Sequence, residues 1–240
     1  FEIITILFFL SSLLLSKFLL NYKNREASLF SLNSSYPNYG YMGIPLSILA
    51  FGENAALPIS IILFADTIVL LTLTSFFASN NGTKVYNNFF FNLVNMFKNP
   101  LLAAALIGFI FVIFNIPIYS LIYKILNLLS LAAPPTALFA LGITLWNKVD
   151  NNFIKSVSII TILKLIIHPL LIFSIFNFFP SSVPPLWIKV AILCSCLPVA
   201  ANVFAMAGYY EIFTKQTSSA ILVSTILSTI SVPIILYFLF

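Results

Sequence analysis

Residues 38–53 read NYGYMGIPLSILAFGE. Asparagine, three glycines and a proline interrupt an otherwise apolar run. In hydrocarbon every backbone N–H and C=O needs a partner within the protein, so residues that loosen a spanning helix are tolerated only against other protein or a water-lined cavity. The stretch therefore predicts a broken helix at a binding site.

The surroundings are hydrophobic. Of 240 residues 61% are apolar, 16% aromatic and 7% charged, against about 25% charged in an ordinary soluble domain. Runs able to cross about 30 Å of hydrocarbon as helices fall at 1–20, 27–50, 55–78, 99–116, 119–146, 153–179, 186–208 and 217–240. The expectation is an all-α polytopic membrane protein with about eight transmembrane helices. Runs such as LLAAALIGFIFVIF (101–114) do not alternate, which argues against a β-barrel.

The net charge of +5 would suggest nucleic acid in a soluble chain, but in a membrane protein the position of the charges decides. Lys17, Lys23, Arg25, Lys84, Lys98, Lys148, Lys155 and Lys215 fall at alternate helix ends, while Lys124, Lys189, Glu2 and Glu53 mark the opposite side. The basic side is expected to be cytoplasmic, in a bacterial cytoplasmic membrane, with the C-terminus outside. Cys194 and Cys196 lie in one span, two residues apart on different helix faces, and are expected to be buried rather than bonded. NGT at 81–83 matches a glycosylation acceptor on the expected cytoplasmic side and is discounted. The chain begins with Phe1 inside an apolar run and is expected to be N-terminally incomplete.

The Asn-rich stretch 79–98 is the sizeable polar connection. It divides the chain into residues 1–80, three helices read as the remnant of a first inverted repeat; a cytoplasmic connection, 81–98; and residues 99–240, a second repeat of five helices. Inverted repeats in transporters pair two interrupted helices near the bilayer midplane. A partner to the opening stretch stands five crossings on, in LPVAANVFAMAGYYE (197–211). Both segments combine Pro and Asn within a span and end in Glu, as AFGE (50–53) and GYYE (208–211). An odd number of crossings between them makes them run in opposite directions.

At each break, the half-helix that follows has N–H groups without intrahelical acceptors and a partial positive charge, so two such ends meeting would form an anion site. Asn38 and Asn202 are expected to supply side-chain hydrogen bonds, Gly40 and Gly43 close backbone approach, and Pro45 and Pro198 the breaks themselves. The plainer alternative is packing glycines and ordinary kinks. Asp66 and Lys164 sit near the centres of their spans, where an ionised group costs about 2.5–3.5 kcal/mol, and are expected either to take part in ion coupling or to fix helix packing by a polar contact. His168, one turn from Lys164 and followed by Pro169, reads as a histidine at a kink. Pro134 and Pro135 in AAPPTALFALG (132–142) bend a further span or shape a surface against which the broken helices move. No HExxH, GxSxG or P-loop is present, so no catalytic or metal-ligating set is expected.

NYGYMGIPL (38–46), NPLLAAALIG (99–108), AAPPTALFALG (132–142), KLIIHPLL (164–171), LPVAANVFAMAGYYE (197–211) and the Ser/Thr-rich LVSTILSTISVPII (222–235) together resemble the auxin efflux carrier family in its bacterial, malate-permease-like form. The resemblance implies a ten-helix fold like that of bile acid:sodium symporters and sodium/proton antiporters, with fourth and ninth helices crossing at their breaks. On that mapping the chain begins at the third helix, the first crossover falls on Asn38 to Pro45 and the second on Pro198 to Asn202. It further implies small organic anions as substrates and an elevator motion against a scaffold of the first, second, sixth and seventh helices. The short central connection differs from the long loop of plant carriers, so phosphorylation control there is not expected. An Asn- and Phe-rich chain suggests a low-GC bacterium, for which auxin itself is not the expected substrate.

The functional expectation is a secondary active transporter of a small carboxylate. The alternative is a receptor or scaffold of the same fold that binds without flux, and a membrane enzyme ranks third. No resident cofactor is expected, with a proton or sodium as coupling ion. The expected partners are the anion, the bilayer and a second copy of the chain, and no nucleic acid.

Overall fold

A computed structural model describes residues 1–78, 100–144, 151–178 and 183–239. The central connection 81–98, with Lys84, Lys98 and the NGT triplet, lies outside them, as does Lys148.

Helix α1 (Glu2–Leu20) stops where Asn21 turns left-handed at φ 54° and its N–H bonds the Ser16 carbonyl, a conformation that asparagine tolerates better than most residues. Helix α2 (Asn24–Ser35) opens with Glu26 accepting from the Lys23 N–H at 3.2 Å. It is buried from Ala27 onward although rich in serine. The hydroxyls of Ser28, Ser31, Ser34 and Ser35 donate to carbonyls three or four residues back, which satisfies them inside the helix itself. After a gap come a π turn (Tyr39–Gly43) and α3 (Ile44–Phe51). Then follow α4 (Ala56–Ala78), α5 (Pro100–Ile113) and α6 (Ser120–Thr144), which runs on through Pro134 and Pro135.

Helix α7 (Asn151–Ile162), a π turn (Leu163–Ile167) and α8 (His168–Phe178) form one continuous span. The wide turn precedes Pro169, which has no N–H for a regular ladder. Helix α9 (Pro185–Ser195), a second gap, α10 (Asn202–Tyr210) and α11 (Thr214–Leu239) complete the described chain. Among the described residues four helical stretches are long and apolar enough to cross a membrane: Glu2–Leu20, Glu53–Ala78, Asn152–Phe178 and Thr214–Leu239.

Helices α1, α2, α4, α7, α9, α10 and α11 pack around α2 and the two gaps. Helix α5 leans on α4, and α6 touches α10 and α11. Along α6 Leu128, Leu131 and Phe139 are 66–72% exposed, so this helix lies outside the core.

Candidate functional site

Neither of the two spans containing the expected breaks is a continuous rod. The first unwinds over Tyr36–Pro37–Asn38 and the second between Cys196 and Ala201. The gaps meet. Pro37 and Val199 form an antiparallel bridge, in which the Asn38 N–H donates to the Pro198 carbonyl at 2.9 Å and the Ala200 N–H to the Tyr36 carbonyl at 3.2 Å. Four backbone groups that would otherwise be orphaned in a low-dielectric interior thereby satisfy one another in pairs.

The first gap lies earlier than the proline pattern indicates. Gly40 and Gly43 belong to the π turn, and Pro45 follows it within the helical run Tyr39–Phe51, the wide turn accommodating its missing N–H. Pro37, in the bridge, is the proline at the gap. The Asn38 carbonyl accepts from both Met42 and Gly43, at 3.2 and 3.0 Å. Gly43 is where the two spans touch: a Cβ there would lie 2.9 Å from Leu197 Cδ1 and 3.0 Å from Ile59 Cδ1.

Beyond the bridge the backbone N–H groups of Gly40 and Tyr41 on one side, and of Ala201 and Asn202 on the other, have no hydrogen bond among the described residues. A cavity of about 230 Å³ is lined by Tyr36, Asn38, Gly40, Tyr41, Thr67 and Asn202 among others. Unpaired donors of Gly40, Tyr41 and Asn202 at two helix starts favour negative charge there.

One wall is a directed relay. The Thr67 hydroxyl donates to the Leu63 carbonyl at 2.5 Å, which uses its one hydrogen. Tyr36, 2.7 Å away, must therefore donate to Thr67 and accept from Asn202 Nδ2 at 3.3 Å. The relay orients the Asn202 amide and leaves its Oδ1 buried without a partner.

Asp66 and Lys164 are both fully buried, and each holds a different span rather than the other. Tyr39, just past the first gap, donates its hydroxyl to Asp66 Oδ2. Lys164 Nζ donates to the Ser195 carbonyl, the last of α9, at 3.1 Å and lies 3.2 Å from His168 Nδ1. A cation at a helix C-terminus also complements the helix dipole. His168 stacks on Phe8 with centroids 4.9 Å apart and planes at 17°. Cys194 and Cys196 are free and buried.

A model of the membrane transport protein family matches residues 1–236. The chain belongs to that family. This is the auxin efflux carrier relationship that the motifs indicate, and it makes the protein a membrane transporter rather than an enzyme. A protein of Rhizobium meliloti (strain 1021) named "Putative malonate transporter" is 29% identical over 222 residues, 88% of this chain and 67% of its own length. An uncharacterized transporter of Methanothermobacter thermautotrophicus is 27% identical over 203 residues, 82% of this chain and 63% of its own. The uncharacterized transporter YfdV of Escherichia coli (strain K12) is 25% identical over 218 residues, 88% and 68% respectively. The chain thus spans about two thirds of the length of these relatives.

Several residues at the site escape a reading of the sequence. Tyr36, Tyr39 and Thr67 look like ordinary aromatic and hydroxyl residues of apolar helices, though the tyrosines flank Pro37-Asn38 and Thr67 adjoins Asp66. Glu2 reads as a charge at a helix end. Its Oε2, like Asp66 Oδ1, is instead buried without a hydrogen-bond partner.

Proposed function

We propose that the protein is a secondary active transporter of small organic anions that binds its substrate in the crossover cavity. The unpaired N–H groups of Gly40, Tyr41 and Asn202, residues that line one cavity, carry this reading. They attract an anion without a permanent buried cation, so the emptied site remains affordable in hydrocarbon. Asn38 and Asn202 add side-chain contacts, and Gly43 and Pro198 hold the two gaps together.

Asp66 and Lys164 serve coupling. Each contacts one of the two broken spans, so a change of proton or ion at Asp66 reaches the cavity-lining Tyr39 through a single hydrogen bond, and one at Lys164 reaches the end of α9 ahead of the second gap. The relative named for malonate supports a carboxylate as the substrate. A ten-helix, five-plus-five inverted repeat with elevator motion in a bacterial cytoplasmic membrane, C-terminus outside, is the architecture in which this crossover would work.

The test is uptake of labelled carboxylates into proteoliposomes containing the full-length protein under an imposed proton gradient. Asn38→Ala with Asn202→Ala should lower uptake by more than tenfold. Uptake unchanged in that double variant would remove the assigned site, and saturable binding without flux would identify a receptor instead.

A further inference from the structure

Away from the crossover, a groove of about 530 Å³ runs between α7 and α11. The two spans that form it run in the same direction. Their C-terminal halves meet around Ile172, Phe176, Ile235 and Leu239, and their N-terminal halves enclose the groove, from Phe153 to Ile162 on one side and from Ser219 to Leu227 on the other. Both therefore start at the same end of the bundle. Arg25 marks that end, since its guanidinium donates to the Tyr210 carbonyl just ahead of α11 at 3.0 Å, and Tyr22 packs edge-on against Phe213 with centroids 5.5 Å apart.

The groove is graded along its length. At its mouth Lys155 and Lys215 are exposed; Lys155 stands three residues before Ser158 and Lys215 four before Ser219, each on the same helix face as the serine that follows it. Ser158 and Ser219 line the next level. The Thr161 hydroxyl is spent on the Val157 carbonyl at 2.8 Å, and the deeper walls, Ile162, Val223 and Leu227, are apolar and partly exposed. No charged side chain lines the groove among the described residues. Nine residues of helix from Phe153 to Ile162 make it about 13 Å deep, close to the roughly 15 Å of one leaflet's hydrocarbon.

We infer that this groove binds an anionic phospholipid, its phosphate between Lys155 and Lys215, its ester region at Ser158 and Ser219, and one acyl chain along Ile162, Val223 and Leu227. Cations, then hydroxyls, then apolar side chains repeat the order of groups in such a lipid, and long lysine side chains reach a headgroup while their stems stay against apolar surface. The occupant touches the two spans that support the second gap, through Lys164 and Ser224. Binding there steadies that gap from outside the crossover cavity.

The experiment is native mass spectrometry of the detergent-solubilised full-length protein with dioleoyl-phosphatidylglycerol competing against dioleoyl-phosphatidylcholine, and with glycerol phosphate as the headgroup alone. Phosphatidylglycerol should be retained about thirtyfold more strongly than phosphatidylcholine, a factor of roughly five for each lysine. Lys155→Gln with Lys215→Gln should bring the two lipids level, and Val223→Trp, which fills the groove, should weaken both. Lys17→Gln with Lys23→Gln, at the same end but off the groove, should change nothing. Equal retention of the two lipids by the unmodified protein overturns the inference without any variant. So does a preference that survives Lys155→Gln with Lys215→Gln, or one lost with Lys17→Gln and Lys23→Gln. Lipid retention untouched by Val223→Trp places the lipid elsewhere, and glycerol phosphate held as tightly as the lipid makes this a free-phosphate site. A dimer that Val223→Trp dissociates gives the groove to a second copy of the chain, which equally removes the lipid site.

Discussion

The two broken spans are built differently although they meet at one bridge. The first gap is only Tyr36–Asn38, and the chain beyond it recovers at once through a π turn closed on the Asn38 carbonyl. The second runs from Cys196 to Ala201, and much of its support comes from other helices: Lys164 on the Ser195 carbonyl, Ser224 Oγ accepting from the Val199 N–H at 3.1 Å. A short gap can close its hydrogen bonds locally. A long one in hydrocarbon has to borrow partners from its neighbours. The second span should therefore be the more sensitive to changes outside itself.

The largest effect is expected at Lys164. Lys164→Ala leaves a cavity and removes the donor from a buried helix-end carbonyl, and should lower stability by about 3 kcal/mol, read from unfolding in detergent. Asp66→Ala deprives only the Tyr39 hydroxyl of its acceptor and should cost roughly half as much. Equal losses would erase the proposed asymmetry.

Ser224→Ala tests the same borrowing by a single atom. It orphans the buried Val199 N–H and is expected to cost about 2 kcal/mol, a loss that Ser224→Thr, which keeps the hydroxyl, should largely avoid. Gly43→Ala probes the contact common to both spans. The obstructing atoms are the ends of Leu197 and Ile59, which can shift, so about 1 kcal/mol is expected. A much larger cost would mean that the two gaps are held more rigidly against each other than these movable ends imply. The smallest effect belongs to the relay. Thr67→Val removes the acceptor for Tyr36 and the fixed orientation of Asn202, and should weaken anion binding by about threefold, on the order of 0.6 kcal/mol, with little change in stability.

How much of this was legible beforehand follows from what hydrocarbon forbids. A backbone group in lipid cannot turn to water, so Gly, Pro and Asn inside apolar runs advertise a break, and both gaps were found in that way. The exact position of the first was not. Pro45 and Pro37 look alike in sequence, yet one follows a π turn inside a helical run and the other lies in extended chain. The central charges were visible because they are expensive there. Their partners were not, because Tyr39 and Ser195 reach Asp66 and Lys164 only through the way separate helices face one another. Spacing along a single helix does not encode that.

The bridge between Pro37 and Val199 also bears on how such a chain is made. Its two segments lie far apart in the sequence, so the Tyr36 carbonyl and Asn38 amide must wait for their partners until the second broken span has left the ribosome. Contacts so distant along the chain form slowly. During synthesis the early half would pass through a stage with bare peptide groups at membrane depth, held near water or by the insertion machinery, and the last helices to arrive would act as the stitch that closes it.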